Sequence, residues 1–176
     1  MILDNYQNEL SDFSRSMFKK LYEDFVYLDK RIKTCDEKIA AVFKADKHCQ
    51  KIGEILGVGI ITATALISAI GDPKMFKNGR GLSAWIGLVP RQTSSGGKNR
   101  LLGISKRGDR YLRKLLIHGA RAVVCRPKNK EDSRSRWINH LRARRGMNKT
   151  VVAVANKNAR IIWALLAKDE DYRYAA

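Results

Sequence analysis

The chain has few cysteines, histidines and prolines. The small number of cysteines argues against a disulfide-stabilised protein, and the small number of histidines argues against a metal-binding protein. Its 176 residues include three of each. Cys35, Cys49 and Cys125 are odd in number and far apart, which argues against a disulfide framework and favours reduced thiols in a cytosolic compartment. The three histidines, at positions 48, 118 and 140, have no second ligand at helical spacing. We therefore expect no metal site in this chain.

The chain also lacks long apolar runs, and its second half has few acidic residues. No apolar run approaches the roughly 20 residues that span a bilayer, and the first residues have neither a basic leader nor an apolar core. We expect no membrane partner and no export signal. After position 80 the acidic residues are only those at 109, 131, 132, 169, 170 and 171. No carboxylate set suited to two-metal phosphoryl transfer is visible among them.

Positive charge is abundant and unevenly distributed. The formal net charge is +18, yet residues 1–50 hold nine basic and nine acidic side chains. Residues 91–150 hold eighteen basic and three acidic side chains, interleaved with Tyr111 and Trp137. Such a block favours a nucleic-acid partner over a merely solvated surface. An anionic membrane is the weaker alternative, because the basic helices lack a broad aromatic face.

The first fifty residues have a heptad pattern of apolar positions without glycine or proline. This pattern predicts one helix from about Asn5 to Lys47, some 60 Å long, that pairs with a second copy as a coiled coil. Packing against its own domain is the alternative. The apolar positions are Tyr6, Leu10, Phe13, Met17, Leu21, Phe25, Leu28, Ile32, Cys35, Ile39 and Val42.

The next segment has the pattern of two helices joined by a glycine turn. Gly57-Val58-Gly59 precedes an apolar helical run over Ile61–Ile70 that stops at Gly71. The arrangement resembles a helix-hairpin-helix element, in which Gly57 and Gly59 would bring backbone amides to a phosphate. Core packing of the glycines remains an equal alternative.

The stretch from Ala84 to Val124 joins a small, flexible loop to a basic helix. Residues 93–97, TSSGG, are too small and glycine-rich to predict regular structure. Ser105 is placed as the N-cap of a helix from about Lys106, and Asp109 is interpreted as an ion-pair partner within it. From the composition alone, such a serine loop is usually no more than a loop. The predicted nucleic-acid-binding residues of this part and of the glycine turn are Gly57, Gly59, Arg91, Lys98, Arg100, Lys106, Arg107, Arg110, Arg113, Lys114 and Arg121.

The rest of the chain completes an all-α prediction. Residues 125–150 suggest a short helix near Trp137 with a solvated, phosphate-contacting basic face. A last helix, about Lys149–Leu166, has an apolar face that closes the core. No run of residues in the sequence predicts a β-strand. The expected organisation is a long coiled-coil helix over 1–48, a compact helical domain over 49–167 and a frayed polar tail over 168–176.

The segment GLVPRQTSSGGKNRLLGISKRGDRYLRKLLIHGARAVV resembles the C-terminal domain of bridge-RNA-guided insertion-sequence transposases, the DEDD serine recombinases of mobile elements. LGVGIITATALISAIGD and GRGLSAWIGLVP upstream, and NKTVVAVANKNARIIWALL downstream, are similar to flanking parts of that domain in the same order. The resemblance covers about Ile52–Leu166, and the long helix resembles the family's coiled-coil connector. It implies a cytoplasmic, nucleoid-associated prokaryotic protein that binds DNA and a structured guide RNA.

The resemblance also implies a nucleophile. The family's serine, in a Ser-Gly step after a Pro-Arg segment, attacks a DNA phosphate and forms a 5′-phosphoserine link. Ser95 matches that step, with Ser94 as the fallback. The family's resolvase-like domain, which carries acidic residues and Mg²⁺, has no counterpart in these residues. We expect no cofactor in this chain and no catalysis by it alone, and a non-catalytic nucleic-acid-binding module is the alternative.

Overall fold

A computed structural model describes residues 9–95, 98–126 and 132–173, with the backbone alone described at positions 94, 95, 98 and 99. The described residues form seven α-helices and one two-stranded hairpin, which confirms a mostly helical fold. The elements are α1 (Asp12–Ala45), α2 (Lys47–Gly53), α3 (Ile60–Ile70), α4 (Gly79–Ile86), β1 (Pro90–Ser95), β2 (Lys98–Ile104), α5 (Arg110–Cys125), α6 (Ser133–Arg145) and α7 (Met147–Ala167).

The long N-terminal helix is present, with bounds that differ from the prediction. It begins at Asp12 and ends at Ala45, because Asp46 is extended and its carboxylate accepts from the amides of His48 and Cys49, which starts α2. Residues 5–8 of the predicted helix lie outside the described residues. The chain divides into two compact units, Met1–Ala41 and Val42–Ala176, whereas the sequence places the boundary at 48/49.

All heptad residues of α1 are exposed except the half-buried Ile39, and no residue of this helix is buried. Seven large apolar side chains of the predicted seam have relative exposures between 52% and 75%. Helix α1 therefore has a long apolar face that is not covered by other residues of the same chain. The seven are Phe13, Met17, Leu21, Phe25, Leu28, Ile32 and Val42.

Helix α7 is the centre of the second unit. Nine of its residues are buried, and it packs against α2, α4, α5 and α6. The predicted last helix is therefore correct in place and role. The side chains that meet it in the core include Ile52 of α2, Leu82 of α4 and Leu116 of α5, each fully buried. These contacts make one continuous apolar core across the unit.

The glycine turn between α2 and α3 packs against α5. Gly57 has φ of +89°, and a Cβ built there would lie 2.8 Å from the carbonyl oxygen of Gly119. A Cβ at Gly119 would overlap the carbonyl of Gly57, so both glycines are required by this close approach. Gly59 has open space around it and precedes α3. Core packing accounts for Gly57, and phosphate contact by Gly59 stays a prediction.

The prediction of a frayed tail is wrong for residues 168–173. The Lys51 ammonium lies 2.7 Å from the Asp169 carboxylate and 3.3 Å from that of Asp171. The hydrogen bond and charge of Lys51 lower the pKa of Asp169 below its usual value. The Tyr172 hydroxyl accepts a 2.9 Å hydrogen bond from Arg134, and its ring packs on the core. Residues 174–176 lie outside the described part.

We predict that Gly119→Ala destabilises the chain by at least about 2 kcal/mol, because the new methyl group must displace the Gly57 backbone. Gly103→Ala is the matched control. A methyl group at position 103 would have no atom within 4 Å beyond those of its two chain neighbours, so this substitution should change stability by less than about 0.5 kcal/mol. Urea unfolding followed by circular dichroism measures both. Equal midpoints for the two variants would contradict the packing account.

Candidate nucleic-acid interface

A β-hairpin occupies the stretch that was predicted to be an irregular loop. β1 and β2 are antiparallel, with Thr93 paired to Arg100 and Ser95 paired to Lys98. The register shifts between Pro90 and Gln92, as at a β-bulge. Gly96 and Gly97 stand between the strands in sequence and lie outside the described residues. Both candidate nucleophiles, Ser94 and Ser95, are therefore strand residues beside the Gly-Gly step.

The base of the hairpin is fixed to the helical core by backbone contacts. The amide of Ser105 donates to the carbonyl of Val89 at 2.8 Å, and the amide of Lys106 donates to that of Gly87 at 3.2 Å. A Cβ at Gly87 would overlap the Arg107 carbonyl, and one at Gly108 would overlap the Trp85 carbonyl. The two ends of the hairpin thus approach more closely than any other residue type permits.

These contacts also correct the predicted start of the basic helix. Lys106 and Gly108 have φ of +56° and +101°, so neither belongs to a right-handed helix. Helix α5 begins at Arg110 instead. Asp109 is its N-cap, and its carboxylate accepts from the Leu112 amide at 2.7 Å. Asp109 thus caps the helix in place of Ser105 and is not primarily an ion-pair partner.

Most of the predicted cationic residues around the hairpin are exposed. Those with exposed side chains are Arg91, Arg100, Lys106, Arg107, Arg110, Lys114 and Arg121, while the side chain of Lys98 lies outside the described residues. Arg113 differs, because its guanidinium is half-buried and donates to the Ile86 carbonyl at 3.0 Å. Arg113 therefore joins α5 to the end of α4 and is committed to the fold.

The basic segment before α7 is not a uniformly solvated face. Arg134 donates to Asn158 Oδ1 at 2.7 Å, to the Leu56 carbonyl at 3.3 Å and to Tyr172. Arg142 donates to the Val124 carbonyl at 3.3 Å. These two guanidinium groups bind the elements of the second unit together. Arg136, Arg144 and Arg145 are exposed and remain available to a partner.

A groove of about 1000 Å³ lies beside the hairpin base, between α4 and α7. We call it the α7 groove. Its cationic residues were not predicted as a site, although Lys157 and Arg160 stand three positions apart, the spacing of one helix face. The cationic residues that line it are Arg80, Lys149, Lys157 and Arg160.

The described residues give little support for metal-dependent or cysteine-based catalysis. No group of three or more His, Cys, Asp or Glu residues within them could hold a metal ion. Cys49 is fully buried, and burial together with the nearby Asp46 charge raises the pKa of its thiol, which keeps it protonated and unreactive. None of the described helices is both long and apolar enough to cross a bilayer.

Residues 49–137, half of the chain, match the model of the transposase IS116/IS110/IS902 family. The chain is 53% identical to the transposase for insertion sequence element IS1111A of Coxiella burnetii over 156 residues. It is 48% identical to a probable family 20 transposase of Pseudomonas aeruginosa over 157 residues. It is 36% identical to the transposase for insertion sequence element IS1328 of Yersinia enterocolitica over 159 residues.

These alignments cover 89%, 89% and 90% of this chain and 43%, 46% and 48% of the respective relatives. The chain thus spans less than half the length of each. The matched family segment includes both strands of the hairpin, the whole of α5 and the two glycines that pack the turn before α3 against it. This chain belongs to the IS116/IS110/IS902 family of insertion-sequence transposases.

Proposed function

We propose that this chain is the nucleic-acid-binding, serine-bearing part of an insertion-sequence transposase. The observation that carries the proposal is the hairpin, which holds Ser95 on a strand that is fixed at its base to α4 and α5. Exposed cations surround the hairpin on both strands and on α5. A nucleophile needs a fixed position and a positive environment to act on a phosphodiester.

In the proposed reaction, the Ser95 hydroxyl oxygen forms a bond to a DNA phosphorus and the bond from phosphorus to the 3′ oxygen breaks. The product is a 5′-phosphoserine link and a free 3′ hydroxyl. The serine proton passes to a base, and the departing 3′ oxygen takes up a proton. Arg91 and Arg100, which lie on the two strands with exposed side chains, would offset the added negative charge on the phosphate.

Neither strand of the hairpin carries an acidic residue or a histidine, so the base for this step comes from outside the hairpin. Between residues 84 and 124 the only candidates are Asp109 and His118. The Asp109 carboxylate is already engaged as a helix cap. We propose that acidic residues and Mg²⁺ are supplied by the portion of the longer relatives that this chain does not cover. We expect this chain alone to bind nucleic acid without cleaving DNA.

The proposed partners are DNA and a structured guide RNA. Eighteen basic residues against three acidic ones between positions 91 and 150 provide the electrostatic attraction. Because backbone phosphates are common to all sequences, this attraction carries little sequence preference. Any choice of target would depend on the guide RNA.

We predict tight, sequence-independent binding to duplex DNA at low salt, with a log–log salt slope steeper than about −5. Arg110→Gln removes an exposed cation and should make the slope shallower by about 1. Arg113→Met is the control, because that guanidinium contacts the Ile86 carbonyl and its loss should lower stability while leaving the slope unchanged. Fluorescence anisotropy across a salt series measures the slopes, and a flat salt dependence would refute the nucleic-acid proposal.

We predict that a covalent protein–DNA link forms only when the chain is joined to the acidic domain of a longer relative and given Mg²⁺ and guide RNA. Ser95→Ala should abolish the link and change DNA binding by less than about twofold, since one neutral hydroxyl adds little to many charged contacts. Ser94→Ala is the control and should still cross-link. Denaturing gels detect the adduct.

If Ser94→Ala abolishes the link and Ser95→Ala does not, the nucleophile is Ser94. If both variants still form it, the serine mechanism is wrong. A chain that binds DNA and forms no link under any of these conditions would be a non-catalytic binding module.

We propose that a second copy of the chain covers the apolar face of α1. Each of its large exposed side chains would gain roughly 1.5–3 kcal/mol on burial. Leu21→Lys with Leu28→Lys should convert a dimer into a monomer. Tyr22→Lys with Tyr27→Lys, which are exposed positions off the seam, should leave the dimer intact. Light scattering at micromolar concentration tests this, and a monomeric unsubstituted chain would contradict it.

A further inference from the structure

The α7 groove combines an apolar floor with a positively charged rim. Pro90 and Ile104, the first residue of β1 and the last of β2, line it together with Ile161 of α7. No acidic side chain is among the lining residues in the described part of the chain. A groove of this size and charge suits a ligand that is flat and apolar in one part and anionic in another.

Close packing of α4 on α7 brings cationic residues of both helices to the groove. A Cβ at Gly79 would lie 2.9 Å from both the Cα and the carbonyl oxygen of Arg160, so α4 begins directly on the backbone of α7. Arg80, the next residue of α4, and Arg160 both line the groove. Both guanidinium side chains are exposed. Two guanidinium groups that line one groove without a lining carboxylate form a favourable position for a phosphate.

Two tryptophans form the aromatic part of the groove. The Trp163 indole N–H donates to the carbonyls of Pro73 and Phe76 at 3.1 and 2.9 Å, which fixes the segment that leads into α4. The Lys157 ammonium lies 4.4 Å from the centre of the Trp137 ring. Aromatic side chains next to cations bind unpaired bases by stacking and contact their phosphates at the same time. The bases of a duplex are stacked and paired inside it and cannot enter such a groove.

We propose that the α7 groove binds one unstacked nucleotide of a single-stranded DNA or RNA segment, with its phosphate at Arg80 and Arg160. This inference rests on the proposed function, because it assumes that the chain binds nucleic acid. β1 runs six residues from Pro90 at the groove to Ser95, a span of about 16 Å. The groove therefore holds a single strand within a few nucleotides of the proposed nucleophile.

The test compares a single strand with a duplex on the full chain. The probes are a labelled twelve-nucleotide oligothymidylate and a labelled twelve-base-pair duplex, measured by anisotropy at one salt concentration. Arg80→Gln with Arg160→Gln should weaken oligothymidylate binding by about 30-fold and duplex binding by less than about threefold. The matched control, Arg110→Gln with Arg121→Gln, removes the same charge from exposed positions of α5 and should weaken both probes alike. Equal thermal midpoints show that the variants fold.

Each outcome separates this inference from the proposed function. If the unsubstituted chain binds both probes and the groove variant keeps its affinity for oligothymidylate, the groove proposal fails and the proposed function stands. If the groove variant weakens the binding of both probes equally, the groove proposal also fails and the proposed function stands. The groove cations would then provide general electrostatic attraction, or the groove would bind an apolar, acidic protein segment. If the unsubstituted chain binds neither probe, both proposals fail.

Discussion

The close backbone contact between the segments of Gly87 and Gly108 determines where the hairpin leaves the helical core. Each glycine has a positive φ and faces a carbonyl oxygen of the opposite segment, so a side chain at either position would separate the two segments. The Arg113 guanidinium adds a hydrogen bond to the Ile86 carbonyl at the same place. This contact fixes the base of the hairpin, whose first strand carries Ser95 and whose outer ends, Pro90 and Ile104, line the α7 groove.

The arginines of this chain divide into two sets that the sequence does not distinguish. Arg113, Arg134 and Arg142 donate to backbone or side-chain oxygens that hold the second unit together. Exposed arginines such as Arg110 and Arg160 make no such bond among the described contacts and can meet phosphates. The charge excess of residues 91–150 therefore overstates the number of cations that can contact phosphates. Arg80 and Arg160 lie outside those residues and add to that number.

Local sequence signals predicted most of the helices, although α4 was not predicted. α3 and α7 follow from apolar periodicity, and the end of α3 follows from Gly71 at φ of +60°. The hairpin was missed because residues 93–97 are small and polar, so their pairing depends on contacts at the hairpin base. The docking of the tail depends on partners that are distant in sequence, such as Lys51 and Asp169. The candidate nucleophile follows from family resemblance alone, since residues 93–97 have no chemical signature of their own.

Amide hydrogen exchange at the base of the hairpin tests the central claim that the glycine contact fixes this element. In the unsubstituted chain the amides of Ser105 and Lys106, which donate to Val89 and Gly87, should be protected. Gly108→Ala should speed exchange at these two amides by at least about 100-fold, while buried Ile162 of α7 stays protected. Unchanged exchange at Ser105 and Lys106 in the Gly108→Ala chain would contradict the account.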